Sequence, residues 1–263
     1  MQAKKSLGQN FLNSETITRQ IVTIADPQPG VIVLEIGPGK GALTREILPF
    51  VSKLIAVEAD IRMTEILEGV FPDAVSTGTL EIVHDDIMDW NETQLREYDK
   101  KYQIIANIPY YLTGILLRKF LTSTYPPNSI TFVVQKEIAD RIMARDKKHS
   151  LLSLSVQVFG IPSMPLEIPR HFFTPIPKVD SAVIHIADIS HKRFTTTQEQ
   201  DSFFTLIRAG FAHKRKTLAN NLKELIAKPI LEGIFQELGH TTRVRAEDLS
   251  LDDWFRILEY TPT

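Results

Sequence analysis

Residues 31–41 have the sequence VIVLEIGPGKG, in which an apolar run leads directly into a glycine-rich loop. The apolar run is typical of a buried strand, and a helical pattern follows the loop. Glycines let a backbone approach a ligand closely, so this strand–loop–helix unit predicts a binding site where the strand ends. We therefore expect the unit to begin a ligand-binding α/β sheet.

Strand candidates alternate with helical patterns along most of the chain. The strand candidates are residues 31–36, 54–57, 80–83, 102–106, 130–134, 166–168 and 183–186. Helical patterns separate several of them, for example at residues 61–71 and 113–121. This alternation is typical of βαβ units, and it predicts an α/β, Rossmann-like sheet that is mostly parallel and has helices on both faces.

The pattern changes near residue 187, after which the chain becomes helical. A polar stretch at residues 188–200 is the predicted linker, and apolar residues then recur at helical spacing. These apolar residues are Phe203, Phe204, Ile207, Phe211, Leu218, Leu222, Leu225, Ile226, Ile230, Leu231, Ile234, Phe235 and Leu238. We therefore predict two domains, a sheet domain at residues 1–187 and a smaller all-helical domain at residues 188–263.

The composition limits the classes of protein and site to consider. The chain has 263 residues, 43% of them hydrophobic, a net charge of −2 and no cysteine, which excludes disulfides, thiolate zinc sites and cysteine nucleophiles. No apolar run reaches membrane-spanning length, and residues 1–8 are basic and polar without an apolar signal core. The histidines lack metal-ligand spacing. We therefore expect a cytoplasmic protein with no membrane segment and no bound metal.

Polar residues follow the ends of successive strand candidates. Glu58 ends the strand after the glycine loop, where a carboxylate can accept from ribose hydroxyls, and Asp86 and Asn107 follow the next two strands. Ligands of open parallel sheets bind at the carboxyl ends of the strands, so we expect one shared crevice. This spacing fits a dinucleotide as well as S-adenosylmethionine. Glu35, directly before the loop, favours S-adenosylmethionine, because a carboxylate repels a pyrophosphate and attracts a cation.

Asp86 has a more specific predicted role than its neighbour. Its carboxylate can accept from the adenine amino group of a nucleoside ligand, whereas Asp85 is interpreted as a solvated loop acid. Solvated loop positions remain the alternative for Glu58 and Asp86 as well.

The tetrapeptide Asn107-Ile108-Pro109-Tyr110 follows the strand candidate at residues 102–106. The Asn side-chain oxygen and the Ile108 or Pro109 carbonyl can both accept from an exocyclic amine, and Tyr110 can stack on its ring. This content predicts an enzyme that acts on the amino group of a nucleobase, adenine above all. A strand-ending turn is the alternative, since Asn and Pro are common turn formers.

Basic residues without an intervening acid occupy residues 208–223. They predict contacts with nucleic-acid phosphates, and a solvated helix face is the alternative. The predicted phosphate contacts are Arg208, Lys214, Arg215, Lys216 and Lys223. A second basic cluster comprises Lys136, Arg141, Arg145, Lys147 and Lys148.

Taken together, these motifs resemble the small-subunit ribosomal RNA adenine dimethyltransferase family. The resemblance spans nearly the whole chain, and the joint order of the motifs is what makes it specific. The motifs are KKSLGQNFL at residues 4–12, the loop at 35–41, Glu58, Asp86, the tetrapeptide at 107–110, QKEIADR at 135–141, the FxPxPxVxS motif at 173–181, and a basic helix with Phe211, Arg215-Lys216-Thr217 and residues 220–222.

The resemblance implies transfer of two methyl groups from S-adenosylmethionine to N6 of each of two adjacent adenosines near the 3′ end of 16S rRNA. It also implies 30S particles as the substrate, a role in small-subunit biogenesis, and an S-adenosylmethionine-binding domain joined to an RNA-binding helical domain. The implied cofactor contacts are Asn10, Leu12, Gly37, Glu58, Asp86 and Asn107. The implied contacts with the target adenine are Asn107, Pro109, Tyr110 and Phe173, whereas Phe172 is more typical of a core residue.

Two alternative functions remain open at this point. One is the related large-subunit (23S) rRNA adenine methylases of the macrolide-resistance type, which the Asn13-Ser14 pair and the basic helix with Arg215 disfavour. The other is a non-catalytic assembly or transcription factor on the same fold, which the intact tetrapeptide at residues 107–110 disfavours. A monomer is expected, because no exposed apolar stripe is evident.

Overall fold

The computed structural model describes residues 9–98, 101–146 and 148–261. The chain forms two compact units. The sheet unit consists of Met1–Ala139 with Ile161–Ile189, and the helical unit consists of Asp140–Gly160 with Ser190–Thr263. Among the described residues, no helix has the length and hydropathy needed to cross a membrane.

The strands of the sheet unit lie close to the positions that the sequence predicts. They are β1 (Phe11–Leu12), β2 (Val31–Ile36), β3 (Val51–Glu58), β4 (Leu80–His84), β5 (Tyr102–Asn107), β6 (Ser129–Gln135), β7 (Ile161–Ile168), β8 (Phe173–Thr174) and β9 (Ser181–Ala187). The sequence patterns did not predict β1 and β8, which are too short to form a pattern, or residues 161–165 of β7. These residues include Pro162 and Pro165, which are tolerated because β7 is an edge strand.

The helices that cover or follow these strands are α1 (Glu15–Ala25), α2 (Ala42–Ile47), α3 (Ile61–Val70), α4 (Pro72–Ser76), α5 (Thr113–Leu121) and α6 (Lys136–Met143). Those of the helical unit are α7 (Leu151–Gln157), α8 (Thr197–Gly210), α9 (Leu218–Leu222), α10 (Lys228–Glu237) and α11 (Leu251–Leu258). Side-chain caps begin several of them. Ser14 Oγ, for example, accepts from the backbone N–H of Ile17 at the start of α1.

In the described part of the chain, seven strands form one sheet in the order β4-β3-β2-β5-β6-β9-β7. All neighbouring pairs from β4 to β6 are parallel, whereas β9 is antiparallel to both of its neighbours. The predicted Rossmann-like sheet is therefore confirmed. The strand order reverses between β2 and β5, and in such sheets the crevice at this reversal is the usual ligand site.

The core lies where α1 and the neighbouring strands meet. Ile21, Val33, Leu54, Ile105 and Phe173 are each at most 1% exposed and belong to one apolar cluster. Burial of both faces explains why the central strands are near-continuous runs of Val, Ile and Leu instead of alternating patterns. Each fully buried side chain of this size contributes about 1.5–3 kcal/mol to stability.

The two units differ from the predicted domains at residues 140–160, which the prediction placed with the sheet. These residues group with the helical unit because their contacts lie there. The backbone N–H of His149 donates to the Glu247 carbonyl over 2.8 Å, and Lys148 pairs with Asp248. The Phe159 ring packs at a centroid distance of 5.9 Å against that of Phe194. None of these partners is close in sequence, so the pattern along the chain gave no signal for them.

The helical unit is closed by a contact between the end of α8 and α11. Gly210 is the last residue of α8, and a Cβ at this position would overlap the buried indole of Trp254. Ser250 caps α11, since its Oγ accepts from Asp253 N and Asp253 Oδ2 accepts from Ser250 N.

We expect Gly210→Ala to lower the free energy of unfolding by about 1–3 kcal/mol, because the added methyl overpacks against Trp254. Gly233→Ala in the exposed face of α10 is the matched control. A Cβ there meets nothing within 4 Å, and we expect a gain of about 0.5–1 kcal/mol from the lower entropy of the unfolded chain. Thermal and urea unfolding of both variants measure the difference. Equal effects of the two substitutions would contradict the role given to the Trp254 contact.

Candidate active site

A pocket lies at the carboxyl edge of the sheet, where β2, β3, β4 and β5 end. Its walls come from β1, the glycine loop after β2, and the turns after the other three strands. Among its lining residues are Asn10, Leu12, Gly37, Glu58, Asp86, Asn107, Pro109 and Tyr110. The structure thus brings into one pocket the residues that the sequence analysis assigned to a cofactor and a base, except Phe173. The individual roles of these residues stay predictions.

The glycine loop needs glycine both for its backbone angles and for close packing. Gly37, Gly39 and Gly41 have φ values of 64°, 57° and 80°, in the region that L side chains rarely adopt. A Cβ at Gly39 would stand 2.9 Å from the Phe11 ring, and one at Gly41 would stand 2.5 Å from the Phe71 ring. At Gly37 nothing lies within 4 Å, so the loop is open on its pocket side for a ligand.

Glu58 is held by backbone donors at the base of this loop. Its Oε2 accepts from Gly39 N over 3.0 Å and its Oε1 from Asp60 N over 2.9 Å. Each oxygen keeps a lone pair for a hydroxyl donor. Burial raises the pKa of this carboxyl above its ordinary value, and the backbone hydrogen bonds oppose the shift.

Glu35 is a buried acid at the end of β2. Its Oε2 accepts from the Thr44 hydroxyl over 2.7 Å, and the residue is 1% exposed. Burial, reinforced by the nearby charge of Glu58, raises the pKa of this carboxyl to about 8. A cation bound nearby would favour the ionised form and lower that pKa.

Asp86 lies in a turn whose shape a distant lysine maintains. The Asp86 Oδ1 accepts from Met88 N over 2.9 Å. Lys119 Nζ, on α5, donates to the carbonyls of Ile87, Met88 and Trp90 over 2.6, 3.1 and 3.2 Å. These are all the donors that an ammonium has. The sequence analysis missed Lys119, because only the packing of α5 brings it to this turn.

Asp85 is part of the same turn. It was interpreted as a solvated acid, but it lines the pocket, and its Oδ1 accepts from Asp86 N over 2.8 Å. Its carboxylate therefore helps to form the turn that presents Asp86.

Asn107 is oriented by a bond to the N-terminal strand region. Its Nδ2 donates to the Asn10 carbonyl over 2.9 Å, so its Oδ1 is the end of the amide that remains to accept from a ligand. The tetrapeptide is also a turn, since Leu112 N donates to the Pro109 carbonyl over 2.9 Å. The two interpretations of this sequence are therefore compatible: the turn forms one wall of the pocket.

Tyr110 is anchored at the far end of its ring. Its hydroxyl shares a hydrogen bond of 2.7 Å with the hydroxyl of Ser181, the first residue of β9. Burial raises the pKa of the Tyr110 phenol above its ordinary value, so the group keeps its proton at neutral pH. Ser181 was noted only as the last residue of a motif, and the sequence carried no signal for this contact.

Phe173, which was predicted to contact a target base, does not line the pocket. It is 1% exposed, pairs through its backbone with Leu12, and belongs to the core cluster that includes Ile21. A contact between its ring and the base stays a prediction. Phe172, which was expected to be core, is partly buried and packs against the core cluster, with its ring 4.2 Å from that of His171 between centroids.

A short N-terminal strand closes one side of the pocket. Phe11 and Leu12 pair with β8, and Asn13 N donates to the Phe172 carbonyl over 2.9 Å. Lys40 Nζ lies 5.2 Å from the centroid of the Phe11 ring, where a cation–π contact is favourable. The first part of the N-terminal motif, residues 4–8, lies outside the described residues.

The basic residues at 208–223 lie in the helical unit, but they do not form the predicted basic helix. Residues 211–217 are a turn between α8 and α9, and Asn221 Nδ2 holds this turn by donating to the carbonyls of Gly210 and His213 over 2.5 and 3.2 Å. All of the predicted phosphate contacts are exposed. They are Arg208, Lys214, Arg215, Lys216 and Lys223.

Most described members of the second basic cluster are engaged by acids. Lys136 pairs with Glu167 over 3.2 Å, Arg145 with Asp140 over 3.2 Å, and Lys148 with Asp248. Lys147 of this cluster lies outside the described residues. Because acids pair with these side chains, the number of basic residues in the sequence overstates the net positive charge of this segment.

We expect the ligand-free protein to lose stability as the pH rises from about 4.5 to about 8, because the folded chain holds the Glu35 proton more tightly than the unfolded chain. The contribution is complete below pH 4.5 and is lost as the pH passes through the folded-state pKa near 8. Glu35→Gln stays neutral throughout, so its unfolding free energy relative to wild type should rise by roughly 3–6 kcal/mol between these limits.

Urea unfolding at pH 5 and pH 8 measures this difference. Glu65→Gln, which removes an exposed carboxyl on α3, is the matched control and should follow the wild-type profile. Parallel pH profiles of wild type and Glu35→Gln would contradict the assignment.

Similarity to known proteins agrees with this site. A family model described as Ribosomal RNA adenine dimethylase matches residues 1–262. The Ribosomal RNA small subunit methyltransferase A of Dehalococcoides mccartyi (strain CBDB1) is 38% identical over 263 residues, covering 99% of this chain and 89% of the relative. The protein of the same name from Mycoplasmopsis pulmonis (strain UAB CTIP) is 35% identical over 261 residues, covering 98% of each chain.

Solved structures share the fold. A dimethyladenosine transferase from Plasmodium falciparum has a TM-score of 0.79 at 25% identity, covering 94% of this chain and 95% of that one. The 23S rRNA methyltransferase ErmE has a TM-score of 0.78, covering 96% and 99%, and at 21% identity it indicates the fold alone. The family match over nearly the whole length and these curated relatives show that the chain belongs to the ribosomal RNA adenine dimethylase family, which uses S-adenosylmethionine as its methyl donor.

Proposed function

We propose that this protein dimethylates N6 of two adjacent adenosines near the 3′ end of 16S rRNA within the 30S particle. The observation that carries the proposal is the orientation of Asn107, whose amide nitrogen is tied to the Asn10 carbonyl beside the glycine loop. The remaining amide oxygen is an acceptor for an adenine amino group in the same pocket as the cofactor residues. The relatives' names support ribosomal RNA of the small subunit as the substrate.

The acidic lining of the pocket fits S-adenosylmethionine better than a dinucleotide. Glu35 and Glu58 are both buried there, and carboxylates favour a cationic ligand over a pyrophosphate. We propose that Glu58 accepts from the ribose hydroxyls, that Asp86 accepts from the adenine amino group, and that the open side of Gly37 faces the ligand. Asn10 and Leu12 line the same side of the pocket.

When bound, S-adenosylmethionine supplies an electrophilic methyl group on a sulfonium centre. The protein's part is to place the adenine nitrogen in line with that group, and good orientation contributes on the order of 7–11 kcal/mol. Asn107 Oδ1 and the Ile108 or Pro109 carbonyl accept from the amino group and favour its pyramidal, lone-pair-bearing form as charge develops. No general base is needed before attack.

The target base must leave its stack to enter the pocket. The Tyr110 ring offers a stacking surface that offsets the cost of unstacking by about 1–3 kcal/mol. After the first transfer N6 keeps one hydrogen, so the site must tolerate the loss of one hydrogen bond and leave room for a methyl group.

We propose that the exposed basic turn of the helical unit binds rRNA phosphates. Lys214, Arg215 and Lys216 follow one another at residues 211–217, where the turn held by Asn221 presents them to solvent. Concentrating cations in this way lets a chain with a net charge of −2 bind a polyanion. A cytoplasmic monomer acting in small-subunit biogenesis remains the expectation.

We expect Asn107→Ala to lower methyl transfer to unmethylated 30S particles by about 10²–10³-fold, since it removes one oriented group from the reacting amine. Affinity for the particle should persist. Asn91→Ala, at an exposed turn position, is the matched control. Labelled S-adenosylmethionine followed by nucleoside analysis measures the transfer and distinguishes monomethyl- from dimethyladenosine.

The same assay separates the competing functions. Transfer to protein-free 23S RNA instead of 30S particles would indicate the large-subunit activity. If the wild-type protein binds particles but transfers nothing to any rRNA, a non-catalytic assembly role replaces the proposed one.

We expect alanine at Lys214, Arg215 and Lys216 together to weaken 30S binding and to reduce the slope of log K against log salt by about two to three, because each cation that no longer neutralises a phosphate lowers the slope by about one. Affinity for S-adenosylmethionine should not change. Lys228→Ala is the control, because this exposed lysine pairs with Glu232 on α10. An unchanged salt slope would exclude the turn from the RNA interface.

A further inference from the structure

We propose that Ser181 is a positioning residue for the methyl transfer, fixing the Tyr110 ring through the bond between the two hydroxyls. The proposal rests on the proposed function of the pocket and assigns a role within it to a residue on another strand. The bond joins atoms 71 positions apart in sequence, at 2.7 Å.

Ser181 is a rigid reference point. It is 0% exposed, begins β9, and pairs with Gln135 at the end of β6 and with Ile168 at the end of β7. Because β9 runs antiparallel to β6, its first residue lies at the edge where the parallel strands end. The antiparallel strand thereby supplies a hydroxyl that holds Tyr110, a residue of the pocket wall.

Tyr110, in contrast, belongs to a short turn. Residues 110–112 form a single 3₁₀ turn, held by the bond from Leu112 N to the Pro109 carbonyl and by Thr113 Oγ1 donating to the Tyr110 carbonyl over 3.0 Å. These bonds fix the backbone and do not involve the ring. The Ser181 bond acts at the hydroxyl, the point of the ring farthest from the backbone, and so restricts the χ1 torsion, which determines where the ring lies.

A fixed ring matters because stacking depends on orientation. A base stacks on the face of an aromatic ring, and a ring already held in place loses less entropy when the base arrives. A fixed ring is more important for the second methyl transfer, since monomethylated N6 has one hydrogen fewer to donate to Asn107 and to the Ile108 or Pro109 carbonyl. The position of the monomethylated base then depends more on stacking against Tyr110. A less restrained ring should therefore slow the second transfer more than the first.

The test compares Ser181→Ala, Tyr110→Phe and the double variant in methyl transfer to unmethylated 30S particles. Each single change removes one neutral hydrogen bond, so we expect kcat to fall about two- to tenfold, with the affinity for S-adenosylmethionine unchanged. The double variant should be no slower than the slower single variant, because both changes remove the same bond. Monomethyladenosine should accumulate in all three.

Ser163→Ala is the matched control. Ser163 is on β7 of the same sheet, and its hydroxyl donates to the His185 carbonyl over 3.3 Å without lining the pocket. This variant should keep wild-type kcat and product ratio. If Ser181→Ala does not fold, Tyr110→Phe and its product ratio alone decide the outcome.

Several results would overturn the proposal. These are an unchanged kcat in Tyr110→Phe, additive losses in the double variant, or a loss of activity that follows thermal stability with an unchanged product ratio. An inactive wild-type protein would overturn both this proposal and the proposed function. An active wild type whose variants keep the same kcat and product ratio would overturn only the role of Ser181.

Discussion

The parallel register of β2, β3, β4 and β5 is the constraint on which the pocket depends. Parallel pairing brings the carboxyl ends of neighbouring strands to one edge, with Glu35 opposite Ala56 and Ile105, and Asn107 opposite Val133. Backbone pairing alone therefore brings Glu35 and Asn107, which are more than 70 positions apart in sequence, to the same edge of the sheet. The reversal of strand order between β2 and β5 opens the crevice there, and the turns after these strands determine its chemistry.

The short strand β1 links the two halves of this pocket. The Asn10 carbonyl accepts from the amide of Asn107, and the next residue, Phe11, packs against Gly39 of the glycine loop. Leu12 then enters the core beside Phe173. One extended segment thus orients the base-binding amide and packs against the cofactor loop, so the relative position of the two is set before any ligand binds.

Charge is distributed to suit two different ligands. The pocket of the sheet unit buries Glu35 and Glu58, and burial raises the pKa of both carboxyls. A cationic ligand relieves this cost, because its charge stabilises the ionised forms. The exposed cations Lys214, Arg215 and Lys216 belong to the helical unit, where solvent screens their charges until a polyanion binds. The nearly neutral net charge of the chain conceals this separation.

The sequence by itself determined the α/β sheet, the strand ends that carry Glu58, Asp86 and Asn107, and the family. Buried strands and glycine loops leave local patterns, and motif order is a property of the chain. Only the tertiary structure decided that Phe173 is buried, that residues 140–160 join the helical unit, and that Lys119 and Ser181 hold residues of the pocket wall. These features depend on contacts between side chains of segments that are distant in sequence. No periodicity or spacing along the chain predicts such contacts.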